Sequence, residues 1–109
     1  MPVWNVPPQR DEPHLTVRSW CVIECTNHER YLVGWCEERG EGRVSTAIVS
    51  FDPQAMKVKT ASGRIYHLSG PPGRDPDGLY VWITYAAVNE LTRLRDATSE
   101  YWSQWAEPT

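Results

Sequence analysis

The sequence has little of what marks an exported, membrane-spanning or nucleic-acid-coating protein. Its 3 cysteines are too few, and odd in number, for a disulfide-based scaffold. No apolar run approaches the roughly 20 residues that span a bilayer, and residues 1–8 lack the basic flank and apolar stretch of a signal peptide. Acidic residues outnumber basic ones, giving a formal net charge of −3, which disfavours general phosphate neutralisation. We therefore expect a cytoplasmic protein without membrane contact.

Motifs for metal, phosphate or nucleophilic chemistry are also missing. The cysteines and His28 lack the closely spaced ligand pairs of a structural zinc site. None of the 3 histidines has a serine, cysteine or carboxylate companion at an informative spacing. We expect no catalytic residue, no cofactor and no metal ion. An enzyme whose site is assembled from distant segments is the third hypothesis.

What the chain does contain is 6 tryptophans in 109 residues. Three lie inside predicted elements and are expected in the core: Trp20, Trp35 and Trp82. Three lie near the chain ends: Trp4, Trp102 and Trp105. Large aromatic side chains dominate both cores and interfaces. Trp102 and Trp105, with Tyr101 beside them and Trp4 at the other end, form our candidate partner-binding site. The alternative is that the C-terminal residues fold back as a lid over the sheet.

The turn chemistry predicts a single domain. Four prolines make residues 1–14 an extended arm, and residues 15–109 form the β-sheet domain. Five strands are predicted, at residues 15–25, 30–37, 44–51, 56–60 and 64–68. Such a meander, followed by a helical segment, predicts an α+β fold: an antiparallel, partly closed, SH3-like small barrel.

The C-terminal third is less well determined. Residues 70–78 contain so much glycine and proline that we expect a loop. Apolar residues then recur at helical spacing from Val81 to Leu94, although residues 79–84 are equally typical of a strand. A final helical turn or two is expected over residues 99–105.

Two turns determine a register for the middle strands. A three-residue loop with Gly63 in the left-handed position pairs Thr60 with Arg64, so Val58 faces Tyr66. A four-residue loop at 52–55 places Val49 opposite Val58. The predicted inner face is Ala47, Val49, Phe51, Met56, Val58, Tyr66 and Leu68. The opposite face carries a basic cluster, our candidate RNA or single-stranded DNA surface: Lys57, Lys59, Arg64 and His67.

Residues 60–73, which read Thr-Ala-Ser-Gly-Arg-Ile-Tyr-His-Leu-Ser-Gly-Pro-Pro-Gly, resemble a segment of small proteins from proteobacteria and their phages. The resemblance implies a bacterial or phage source and transfers no activity and no functional residue. Our leading hypothesis is a non-enzymatic binding or inhibitor protein that occupies a surface on another protein, as anti-CRISPR-like proteins do. A small-barrel nucleic-acid binder is the alternative. The sequence leaves the partner's identity and the oligomeric state open.

Overall fold

The structure, a computed structural model, describes residues 14–105, with side chains for residues 14–102. Its elements, in chain order, are β1 (His14–Cys25), β2 (Arg30–Cys36), β3 (Glu41–Asp52), β4 (Lys57–Thr60), β5 (Ile65–Ser69), α1 (Pro76–Val88), β6 (Arg93–Asp96) and α2 (Ser99–Trp105). Strands β1 to β5 follow one another as a meander, β5 pairs back onto β1, and β6 extends the sheet from β1.

The five-stranded barrel is closed, and its closing pair is parallel. Consecutive strands from β1 to β5 are antiparallel, whereas β1 and β5 run in the same direction. An up-and-down meander with an odd number of strands must end this way, because its first and fifth strands point alike. The predicted small α+β barrel is confirmed, but an antiparallel arrangement throughout is wrong at this seam.

Apolar side chains form two cores, one on each side of the barrel wall. The first fills the barrel and includes Leu15, Val17, Trp20, Val22, Leu32, Cys36, Met56, Val58, Tyr66, Leu68, Ala97 and Tyr101. The second lies between the outer wall and α1, and includes Cys21, Ile23, Cys25, Tyr31, Val33 and Trp82. Strands β1 and β2 are therefore buried on both faces.

An irregularity in β1 lets this strand contribute side chains to both cores. Leu15 and Val17 face the interior, and so do Trp20 and Val22, three residues further along. The change of parity falls at Ser19, whose φ is +49° and where the register with β2 shifts. A β-bulge inserts an extra residue in this way and turns every later side chain to the other face. Residues after the bulge can then contact α1.

The β4–β5 hairpin has the predicted register. Val58 pairs with Tyr66 and Lys57 with His67. Gly63 adopts a φ of +91°, as the three-residue loop requires. Four predicted members of the inner face are buried in the barrel: Met56, Val58, Tyr66 and Leu68.

The register predicted between β3 and β4 is wrong by two residues. Phe51, and not Val49, pairs with Val58. The register also shifts between residues 48 and 50, so Ile48 packs on the barrel core while Val49 is 59% exposed. Ala47 packs against the second core, under α1. These three positions break the strict alternation on which the prediction depended.

Helix α1 begins earlier than predicted, inside the glycine- and proline-rich segment. The Asp75 carboxylate caps the helix by accepting a hydrogen bond of 2.7 Å from the Gly78 N–H, and Pro76 occupies the first turn. Aspartate at the cap and proline at the first helical position are standard helix starts. Residues 79–84 are helical, so the strand alternative is wrong.

The helical spacing does not continue to Leu94. α1 ends at Val88, and Glu90 has a φ of +56°, which turns the chain into β6. β6 pairs with the second half of β1, and α2 follows it as predicted.

Within residues 14–105, neither helix is long and apolar enough to cross a membrane.

Candidate functional site

Tyr101 and Trp102, the C-terminal aromatic residues whose side chains are described, pack on the barrel as a lid. Tyr101 is only 5% exposed, and its ring lies 4.6 Å from that of Phe51. Trp102 is half-buried against the barrel core. Ion pairs hold α2 in place, including Arg30 to Glu100 at 2.9 Å. Tyr101 is therefore a core residue, which corrects its place in the predicted partner site. The side chain of Trp105, and all of Trp4, lie outside the described residues.

The predicted basic face retains three of its four members. Lys57, Lys59 and His67 lie on the outer wall of the β4–β5 hairpin, opposite the buried Val58. Arg64 is only 5% exposed, so its assignment to this face is wrong. Arg64 pairs with Thr60 next to the hairpin loop. Because side chains alternate along a strand, this pair lies on the same side of the sheet as Val58.

A shallow groove of about 240 Å³ lies beside the two lysines. It is lined by Ser50, Phe51, Asp52, Lys57, Val58, Lys59 and Ile65. Asp52 pairs with Lys57 across β3 and β4, so one of the two positive charges has an acidic neighbour. Single-stranded nucleic acid is usually held by exposed aromatics along a basic track. The groove's one aromatic ring packs on Tyr101 instead, so the face fits nucleic acid poorly.

The parallel seam brings together two histidines that are distant in sequence. His14 is the first residue of β1 rather than part of an arm, and its Nδ1 lies 3.1 Å from Nε2 of His67. Burial, together with the neighbouring His14 and Lys57, lowers the pKa of His67. Glu38 lies nearby and accepts hydrogen bonds from the Thr16 N–H at 2.7 Å and hydroxyl at 2.8 Å. Both carboxylate oxygens of Glu38 therefore bind Thr16 in β1.

The lowered pKa of His67 predicts a loss of stability on acidification. The folded state keeps His67 neutral below its ordinary pKa of 6.5, whereas the unfolded chain takes up the proton. The unfolded state then binds more protons, so the free energy of unfolding falls as the pH drops through this window. Replacing His67→Gln should reduce that fall, measured by urea unfolding at about pH 7.5 and about pH 5.5. The control His28→Asn, in an exposed turn, should retain it, and an equal fall in all three proteins would contradict the prediction.

The surface that stands out is the outer face of α1. The helix buries Gly78 and Trp82 against the barrel wall. On its other side Tyr80, Ile83 and Val88 are 73%, 68% and 74% exposed. Thr84 and Ala87 complete the face, and all five residues are solvent-exposed. We call these five residues the α1 face.

No residue of α1 after Asp77 is charged. Helices that cover a core usually carry charged and polar residues toward solvent. Exposed apolar residues scattered singly need no explanation, but a contiguous group is typical of an interaction site. The sequence does contain this signal, as eleven uncharged residues from Gly78 to Val88. Only Trp82 of this run was predicted to lie in the core, and residues 79–84 were left open between strand and helix, so the exposed face was not predicted.

Other chemistry has less support in the described part of the chain. No three His, Cys, Asp or Glu side chains within residues 14–102 lie close enough together to share a metal ion. The three cysteines are free and buried. Cys21 faces α1 and Cys36 the barrel interior, so the wall separates them. Burial raises the pKa of Cys21 to about 11, so its thiol is a poor nucleophile.

Comparison with protein-family models, with curated proteins and with solved structures gave no significant match.

Proposed function

We propose that this protein is a non-enzymatic binding protein that recognises another protein through the α1 face. The observation that supports this most is the exposure of Tyr80, Ile83 and Val88, each more than two-thirds exposed, on a helix face without charge. Aromatic and aliphatic side chains of this kind form the centres of interfaces. The barrel beneath gives the helix a rigid support, which lowers the entropy cost of binding.

The charges at the two ends of the α1 face indicate the chemistry of the partner. Asp77 lies in its first turn and Glu90 just beyond its C-terminus, and both are exposed. Twelve residues lie between them, and the helical steps from Asp77 to Val88 alone rise about 17 Å. Two copies of this face would bring like charges together in either orientation, which disfavours self-association. A partner with an apolar groove flanked by Lys or Arg at that spacing fits better.

The expected source of the partner is a bacterial cell. The resemblance of residues 60–73 to bacterial and phage proteins supports a role as an inhibitor or adaptor in a bacterial cytoplasm. In the structure that segment contributes to the fold itself: Tyr66 and Leu68 are in the barrel core, and the Gly70 carbonyl accepts a hydrogen bond from Trp20. Binding is therefore expected to involve α1 and not this segment.

Replacing Ile83 by glutamate should weaken binding strongly and leave the fold intact. Ile83 is 68% exposed, so the change costs little stability, whereas a buried charge at an interface centre should weaken binding about tenfold or more. The matched control is Leu94→Glu, which introduces the same charge at an apolar residue of β6 that is 53% exposed. Affinity capture from bacterial lysate, with mass spectrometry and thermal unfolding of each variant, makes the comparison.

The proposal requires one stoichiometric protein that the wild type and Leu94→Glu retain and Ile83→Glu loses. The purified partner should also bind Asp77→Lys, Glu90→Lys protein more weakly than wild type. A partner retained equally by both glutamate variants would refute the α1 face. Recovery of RNA or single-stranded DNA, lost in a Lys57→Glu, Lys59→Glu variant, would favour the alternative function on the outer wall of β4 and β5.

A further inference from the structure

Arg64 is a buried cation without a partner among the side chains of residues 14–102. Only 5% of its surface is exposed, and its Nε has no hydrogen-bond partner. Among the described residues, no carboxylate forms an ion pair with it and no side chain accepts a hydrogen bond from its guanidinium. Other arginines of the barrel are paired: Arg43 donates to the Tyr66 hydroxyl at 3.1 Å, and Arg30 lies 3.1 Å from Glu24.

Such a group is energetically unusual. A guanidinium has five N–H donors and keeps its positive charge throughout the range in which proteins fold. Removing it from water without a counter-charge costs several kcal/mol, so buried charges are nearly always paired. An unsatisfied buried polar group in a native structure therefore calls for an explanation, and an absent ion or ligand is one of them.

Arg64 lies at the end of the β4–β5 hairpin, next to exposed loop residues. It pairs with Thr60 beside the three-residue loop, whose residues 61–63 are all exposed, so both side chains lie at the rim of the barrel. The hydroxyls of Thr60 and Ser62 lie 3.2 Å apart in the same turn. Both hydroxyls bind the backbone of Arg64: Thr60 Oγ1 donates to its carbonyl at 3.2 Å, and Ser62 Oγ accepts from its N–H at 3.4 Å. Recognition therefore depends on the guanidinium itself, whose planar fork of donors suits the oxygens of an oxyanion.

We propose that Arg64 binds an oxyanion, a carboxylate or a phosphate, at the rim of the barrel beside the β4–β5 hairpin loop. This site does not depend on the α1 face, which lies on the outer wall beside β2 and β3. Binding would neutralise the guanidinium and supply an acceptor for the Nε–H, which has none among the described residues. It would also make the stability of the domain dependent on anions.

The test compares Arg64→Met with wild type in three anions at equal ionic strength: inorganic phosphate, acetate and chloride. Phosphate or acetate should raise the thermal midpoint of the wild type saturably, relative to chloride, and should not do so for Arg64→Met. Isothermal titration should show affinity for the effective anion lowered about tenfold or more, the scale of a charge-assisted hydrogen bond. A response to phosphate and not to acetate would identify a phosphate as the ligand group, and the reverse would identify a carboxylate.

The matched control is Lys59→Met, which removes one positive charge from the exposed side of the same hairpin. It should respond to anions as the wild type does. In chloride alone, Arg64→Met should be at least as stable as wild type, because it removes an unpaired buried charge. Equal anion responses in wild type and Arg64→Met, or none in the wild type, would overturn the proposal. If Arg64→Met does not fold, heteronuclear NMR of the wild type provides the test. The proposal then requires the Arg64 Nε–H signal to shift when the anion is added.

Discussion

Replacing Trp20 by alanine is expected to lower the free energy of unfolding by about 3–5 kcal/mol. The side chain is fully buried in the barrel core, and its Nε1 donates a 3.0 Å hydrogen bond to the carbonyl of Gly70. The truncation removes the largest side chain in that core and leaves the half-buried Gly70 carbonyl without this donor. Because small domains are stable by about 5–15 kcal/mol, a loss of this size is a large fraction of the total stability. Urea unfolding followed by circular dichroism measures the loss.

The same substitution at Trp35 is the control. Trp35 is half-buried on the outer wall, with the Arg18 guanidinium 5.9 Å from its ring, so Trp35→Ala should cost much less. A third variant, Trp20→Phe, keeps most of the ring and loses the N–H, so its loss should lie between the other two. Equal losses at Trp20 and Trp35 would show that the barrel interior does not dominate the stability.

The parts of the fold that were predictable from the sequence are those in which local chemistry determines the geometry. Gly63 requires a short loop, and that loop sets the register of β4 and β5, which the structure confirms. Strand β3 was not predictable because its irregularities leave no clear mark in the sequence. Ile48 and Phe51 both face the barrel although they are three residues apart, and a period of two cannot produce that spacing.

The parallel pairing of β1 with β5 could have been deduced from the number of strands. The contact between His14 and His67 that follows from it could not. Five strands in a meander bring β1 and β5 together in parallel once the barrel closes. Which residues then meet depends on the stagger of the two strands, which depends in turn on every earlier bulge. The contact between His14 and His67 therefore depends on the geometry of every strand in the barrel, and no local sequence pattern predicts it.

The candidate site illustrates the same limit for helices. The helical spacing of the apolar residues from Val81 to Leu94 did not show which side of the helix is buried. In the structure Trp82 is buried with Tyr85 packed beside it, and Val88 is 74% exposed. A helix that is apolar all round gives a weak periodic signal, so the bulkiest side chain and the shape of the wall decide its orientation. The absence of charge from Gly78 to Val88 was better evidence for an exposed apolar face, because it does not depend on which side of the helix is buried.

The contact between α1 and the barrel wall predicts the second large effect, a loss of about 3 kcal/mol or more for Gly42→Ala. A Cβ at Gly42 would lie 2.3 Å from the Asp77 carbonyl carbon and 2.5 Å from the Gly78 nitrogen. Both are backbone atoms in the first turn of α1, so no side chain can rotate to make room. The helix would have to move off the wall and expose the second core.

The control is Gly40→Ala, in the turn before β3. A Cβ there meets nothing within 4 Å, but the φ of +61° disfavours alanine, so its cost should be near 1 kcal/mol from backbone strain alone. Urea unfolding of both variants separates collision from strain, and hydrogen exchange shows whether amides of α1 lose protection first in Gly42→Ala. If Gly42→Ala costs no more than Gly40→Ala, α1 is not held against the wall at this point. In that case the α1 face would lose the rigid support on which its proposed role in binding depends.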